Sequence, residues 1–158
     1  MTENQTVNGE HTFLLLKPDA VQRGMVGKII SRIEEKGLKI VAMKMVHVTP
    51  EQAARQYACH YGKPFYPSLV EFICSGPSVA MIVEGRDAIA ICRRLMGATA
   101  PEQSTPGTIR GDYSLDVKHN LIHGSDSSAS FAQESAVYFS DADIIKYSLE
   151  LERWIYYS

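Results

Sequence analysis

The sequence contains no apolar run approaching the roughly 20 residues that a membrane-crossing helix needs. Its opening residues, Met1 to Glu10, are polar where a secretory signal would carry an apolar core. A cytoplasmic protein with no membrane partner is therefore expected. Cysteine is scarce. Cys59, Cys74 and Cys92 are odd in number and form no CxxC pair, so they are expected to be reduced thiols or core fillers, not a disulfide framework or a zinc site. An excess of either charge is also missing. Sixteen Lys and Arg stand against 18 Asp and Glu, a net charge of -2, which excludes a polybasic DNA-coating protein and makes nucleic acid a poor candidate for the main partner.

Phosphate-cradling loops are absent as well. There is no GxGxxG and no GxxxxGK[ST]. Gly24-Met-Val-Gly27-Lys28 has the wrong spacing, and Lys28 is better placed on a helix. Any bound nucleotide must then be held by side-chain cations instead of backbone amides. No cluster of carboxylates suggests a protein-built metal cage. A Mg²⁺ ion, if used, would be held mostly by phosphates and water.

What is present suffices for one compact core: 158 residues, 45% of them hydrophobic. We expect residues 1–11 to form a flexible leader and residues 12–158 a single domain. Thr12 to Lys17 reads as a buried strand closed by Pro18, with a loop from Asp19 to Gly24. Val26, Ile29, Ile30 and Ile33 share one helical face, and Gly37 can end that helix. Leu38 to Val48 reads as a long central strand. Thr49-Pro50-Glu51-Gln52 is a capping box with Pro in the first turn. Tyr57 to Ser75 is expected as two helical pieces broken around Gly62-Lys63-Pro64. Val79 to Val83 should be a strand, and Ala88, Ile91, Cys92, Leu95 and Met96 the apolar face of a helix ending at Gly97. A loop from Ala98 to Gly111, the strand bearing His123 and a helix from Ser127 to about Phe139 follow. The tail, with Ile144, Ile145, Leu149 and Trp154, should pack. The order β-α-β-(αα)-β-α-β-α predicts an α+β fold of the ferredoxin-like, split βαβ type, a four-stranded antiparallel sheet covered by helices.

The stretch richest in chemistry is Asn120-Leu-Ile-His-Gly-Ser-Asp126. An apolar run ends at His123, and Gly124 permits a sharp exit that would leave the imidazole exposed at the strand's end. A lone histidine there is more often structural, but imidazole is also the side chain most easily held neutral and nucleophilic near pH 7. Moving a phosphoryl group through it would require cations, donors for the phosphate oxygens and a group orienting the ring. Lys17, Arg93 and Arg110 are the cationic candidates, and Thr99 a hydroxyl donor. Arg93 could instead snorkel at a helix rim and Arg110 brace its loop; Arg94 reads as a solvated charge. By composition alone, Tyr57 and Phe65 read more readily as core aromatics than as stacking platforms.

Several motifs then match one family together. Lys17-Pro-Asp-Ala-Val-Gln-Arg-Gly24, Ser75-Gly-Pro, Pro106-Gly-Thr-Ile-Arg-Gly-Asp112 and Asn120-Leu-Ile-His-Gly-Ser-Asp-Ser127 resemble the nucleoside diphosphate kinases over nearly the whole chain, from about Thr12 to Tyr156. The resemblance implies a ping-pong exchange in which His123 takes the γ-phosphoryl group of a nucleoside triphosphate and passes it to a diphosphate. It implies that Glu134 holds the second ring nitrogen and that Ser125 bonds that glutamate. Arg93, Thr99 and Arg110 match phosphate binders, and Lys17 and Asn120 match ribose contacts, Lys17 reaching phosphate as well. Tyr57 falls beside the histidine, while Phe65 and Val117 match the two sides of a base clamp. Stacking on a face common to all bases implies broad base specificity. Mg²⁺ is the implied cofactor, and a homo-oligomer, hexamer favoured over tetramer, the implied assembly. The chain departs from the family at Ala98-Thr-Ala-Pro101 and Cys59-His-Tyr-Gly-Lys63.

Two other readings compete. A catalytically silent or moonlighting nucleotide-binding module would not need the full set of Lys17, Arg93, Arg110, Asn120, His123 and Glu134. A protein-histidine phosphocarrier would have no use for an aromatic clamp and a ribose-binding pair.

Overall fold

The computed structural model describes residues 9–157. In chain order the elements are β1 (Glu10–Leu16), α1 (Pro18–Gln22), α2 (Val26–Glu35), β2 (Lys39–His47), α3 (Pro50–Gln56), α4 (Tyr66–Ile73), β3 (Pro77–Gly85), α5 (Ala88–Met96), α6 (Ile109–Tyr113), β4 (Ile122–Gly124), α7 (Ser128–Tyr138) and α8 (Glu152–Ile155), with short 3₁₀ turns at Ala58–His60, Pro101–Gln103 and Asp141–Asp143. The four strands form one antiparallel sheet in the order β2-β3-β1-β4. This is the split βαβ arrangement that the element order predicts, with helices on both faces.

β1 shows how the apolar pattern becomes a core. Phe13 to Leu16 are all fully buried because the strand lies between two neighbours and under helices on both sides. Side chains alternate across a strand. Leu14 and Leu16 therefore join Ile29, Ile33, Cys92 and Met96 beneath α2 and α5, while Phe13 and Leu15 join Ala53, Tyr57, Val137 and Tyr138 beneath α3 and α7.

Four expectations are corrected. The long strand lies at the sheet edge, not its centre: Val41 and Ala42 are buried, but Met43, Lys44 and Met45 face solvent, and a register shift interrupts pairing between Ile40 and Ala42. Density of apolar residues cannot distinguish edge from centre when methionine carries it. The expected loop after β1 holds α1, because Pro18 presets the first turn. Within the expected loop from Ala98 to Gly111, α6 begins where Thr108 Oγ1 accepts from Gly111 N. Glu10 and His11, assigned to the leader, belong to β1, while residues 1–8 of that leader lie outside the described residues.

The capping box at Thr49 and Gln52 is formed in both directions, with lengths of 3.2 and 3.0 Å. The break near Gly62, whose φ is +83, separates the 3₁₀ turn from α4. The tail packs by other means than its apolar residues suggested. Ile144 joins Val41 and Ile82, yet Ile145 and Trp154 are exposed. The tail is held mainly by polar contacts, Ile145 N to Val41 O at 2.9 Å and Lys39 to Glu152 at 3.3 Å among them.

Candidate active site

β4 is three residues long and pairs with Leu14 to Leu16 of β1, setting His123 opposite Leu15. The turn that introduces it is not where the glycine suggested. Leu121 is the residue with positive φ, +74, a conformation uncommon for a bulky side chain. It is held there because its N–H donates to Asp19 Oδ2 at 3.0 Å and its carbonyl accepts from Lys17 N at 2.8 Å. Gly124 serves close packing instead. A Cβ on it would stand 2.6 Å from Met96 Sδ and 3.1 Å from Leu14 Cδ2, so its bareness lets α5 settle onto the strand. Asp19 was not singled out from the sequence. The available signal was an acidic residue in the first turn after a buried strand, a common feature of helix starts.

The His123 side chain is 20% exposed, less open than an imidazole standing free at a strand end. Its Nε2 lies 3.0 Å from Glu134 Oε1, close enough for charge pairing but off the N–H direction, so the pair is not a straight hydrogen bond. Glu134 is buried on α7, and its other oxygen accepts from Ser125 Oγ. A proton kept on Nε2 leaves the Nδ1 lone pair free to act as a nucleophile. Phe13 and Tyr57 confine the ring, the latter edge-on with centroids 5.8 Å apart. The Tyr57 hydroxyl is buried without a partner, and burial pushes its pKa well up, so it stays a proton donor.

Cations from three distant parts of the chain converge beside this ring. Lys17 is buried, and its Nζ donates to Asn120 Oδ1 at 2.8 Å, while Asn120 Nδ2 donates to the Thr99 carbonyl at 3.2 Å. Arg93, on α5, donates to the carbonyl of Gly124 at 3.2 Å. Arg110, on α6, reaches the carbonyls of Gly97, Asn120 and Ile122. The carbonyls of Ile122 and Gly124 flank His123, so both arginines are fastened on either side of it. Burial and then Arg110 lower Lys17 to about 8. Burial and then Arg93 lower Arg110 to about 10, still charged at neutral pH. Like charges held this close with water largely excluded favour an anion as their missing partner.

Arg110 thus both braces its loop and lies at the site. Three of its contacts go to main-chain carbonyls, and a guanidinium has five N–H groups. Arg94 is exposed, as a solvated charge should be, and so is the side chain of Thr99. Tyr57 is a buried aromatic beside the histidine. Phe65 and Val117, in contrast, are 48% and 56% exposed, which corrects the core reading of Phe65. Phe65 precedes α4 and meets the edge of His60 at 5.3 Å, and His60 also stacks on Tyr57. His60 was another residue the sequence did not single out, because its role is set by two aromatic neighbours. Val117 rides a turn in which Asp116 Oδ1 accepts from the N–H groups of Lys118 and His119.

One depression lies at Gly37, Lys39 and Glu152, and a wider groove lies along Phe131, Phe139 and Ile144; neither includes His123. The candidate site is chosen on its chemistry instead. Among the described residues, no three His, Cys, Asp or Glu side chains come together as a metal cage, and no helix is long and apolar enough to cross a membrane.

Comparison with known proteins places the chain in a family. The family model described as nucleoside diphosphate kinase matches residues 10–144. The chain is similar to the nucleoside diphosphate kinase of Archaeoglobus fulgidus, 53% identical over 147 residues that cover 93% of this chain and 97% of that one. It is likewise similar to that of Pelotomaculum thermopropionicum, at 51% identity over 93% and 99% of the two chains. Among solved structures it resembles a halophilic nucleoside diphosphate kinase from Halobacterium salinarum in complex with CDP, with a TM-score of 0.92 and 46% identity over 94% of this chain and 99% of that one. The chain belongs to the nucleoside diphosphate kinase family of phosphotransferases.

Proposed function

We propose that the protein transfers the γ-phosphoryl group of a nucleoside triphosphate to a nucleoside diphosphate, in two half-reactions through a phosphohistidine on His123. In the first, the Nδ1 lone pair attacks the γ-phosphorus, the bond to the β-phosphate oxygen breaks, and the diphosphate leaves carrying that electron pair. The second reverses these events on another diphosphate. The observation that supports this most is the convergence of Lys17, Arg93 and Arg110, which repel one another, on an imidazole backed by Glu134 and Ser125.

Each residue has a part in this reading. Glu134, positioned by Ser125, stabilises the charge that the ring acquires on phosphorylation. Arg93, Arg110 and Thr99 hold the phosphates, Tyr57 offers its unpartnered hydroxyl, and Lys17 and Asn120 hold the ribose, Lys17 reaching phosphate also. Phe65 and Val117 form the base clamp, and their exposure suits walls that bury only when a base enters. Stacking reads no base edge, which supports broad base specificity. Mg²⁺ enters with the nucleotide as part of the substrate: a site of cations without a carboxylate cluster suits an ion carried on phosphates and water. Homo-oligomerisation, to a hexamer before a tetramer, and residence in the cytoplasm complete the reading, together with a single domain that opens with β1 at Glu10.

The test is incubation with γ-labelled nucleoside triphosphate and Mg²⁺. The wild-type protein should retain an acid-labile, base-stable label, and His123→Asn should retain none. Label persisting in the variant would overturn the role of His123, and an unlabelled wild type would favour the silent-module reading.

A further inference from the structure

We propose that Arg32, which lies outside the site on the far side of α6, is a positioning residue that holds Arg110 in register with His123. This rests on the proposed phosphotransfer and deepens it. Arg110 sits on a helix of only five residues, too short to be stable on its own. Something must anchor it, and Arg32 on the longer α2 does so at both ends. Its Nη2 pairs with Asp112 within α6, and its Nη1 donates to the carbonyl of Gly107, just before the cap, at 3.0 Å. Its guanidinium also lies over the Tyr113 ring, 5.0 Å from the centroid. Asp112 closes the unit by accepting from Gly107 N at 2.8 Å.

Arg32 therefore spans the whole turn from Gly107 to Tyr113, with Arg110 at its centre. On its other side Arg110 is fastened to the carbonyls of Asn120 and Ile122, the residues leading into His123. A contiguous chain of contacts runs from α2 through α6 to the nucleophile. A bidentate, stacked arginine is not replaced by lysine, which offers a point charge without the planar fork.

The experiment measures the single-turnover rate of His123 phosphorylation in the full-length protein. Arg32→Ala should slow it about tenfold, within the span that a remote contact can control and less than the roughly 10²–10³ expected from losing the Arg110 donor itself. Asp112→Asn should slow it similarly by breaking the same pair from the other side, and Arg32→Lys should restore the rate only in part. The decisive comparison is Arg32→Ala in an Arg110→Ala background, where it should have little further effect. An equal slowing in both backgrounds would mean general structural damage and would overturn the proposal. So would a wild-type rate in Arg32→Ala. A wild type that takes no label at all would overturn the phosphotransfer reading and this one with it, so the two failures are told apart.

Discussion

At the scale of single residues, Lys17 carries the clearest consequence. It is buried beside Arg110, and its pKa is lowered to about 8. An unfolded lysine titrates near 10.4. Between these values the unfolded chain holds a proton that the folded chain has released, so stability contributed by this group rises with pH from about 8 to about 10.5. Burying the charged form below pH 8 thus costs on the order of 3 kcal/mol. A bound phosphate should reverse the effect, because an opposite charge favours the protonated amine. Titration of a nucleoside diphosphate at pH 8.5 in buffers of different ionisation enthalpy should show net proton uptake, and Lys17→Gln should abolish it. For the same reason kcat/KM should fall as pH rises through about 8. Binding without proton uptake in the wild type would mean that Lys17 does not meet the anion. Tyr57 is shifted the other way, its hydroxyl held protonated by burial and left without a partner, ready to donate.

At the scale of elements, two short pieces do most of the positioning. β4 has three residues and α6 five, and neither has enough internal hydrogen bonding to set its own geometry. β4 is fixed by β1, by the Asp19 contact to Leu121 and by the close seat of Met96 on Gly124. α6 is fixed by its cap at Thr108 and by a tight approach at Gly111, where a Cβ would fall 1.9 Å from the Thr105 carbonyl oxygen. Backbone cannot yield as a flexible side chain can. Gly111→Ala should therefore displace α6, lowering stability by about 1–3 kcal/mol, the usual range for overpacking, and slowing phosphorylation by more than its effect on unfolding accounts for. Chemical denaturation together with the single-turnover rate would check this, and an unchanged rate would show that Arg110 does not need α6 in place. The capping box that opens α3 contrasts with these, since Thr49 and Gln52 satisfy each other from within four residues. That is why α3 could be read directly from the chain.

At the scale of the whole molecule, a net charge of -2 conceals a concentrated cationic site, so overall charge is a poor guide to the ligand. The edge position of β2 has a second consequence. The tail covers the carbonyls of Ile40 and Val41, but Met43 and Met45 remain 54% and 63% exposed on the same strand. An apolar, partly uncovered edge favours pairing with another chain. Sedimentation should accordingly report a multiple of the 17.6 kDa chain mass, and Met43→Lys with Met45→Lys should shift it to a smaller species. A wild-type monomer would refute the oligomer.

The sequence by itself determined the longer elements, because helix and strand periods, caps and glycine stops act over a few residues, whereas the five-residue α1 and α6 lay in stretches that read as loops. Its resemblance to the family also named His123, Glu134, Lys17, Arg93 and Arg110 as candidate site residues, on motifs that carry His123, Lys17 and Arg110 themselves. It did not reveal that Leu121 makes the sharp turn while Gly124 admits Met96, that β2 is an edge, or that Arg32 and Asp19 brace the site. Those follow from contacts between residues distant in the chain, such as Arg32 with Gly107, 75 positions on, and Asp19 with Leu121, 102 positions on. Local spacing specifies which face of an element is buried, but which neighbour it is buried against is settled only when the whole sheet and its helices compete for the same space.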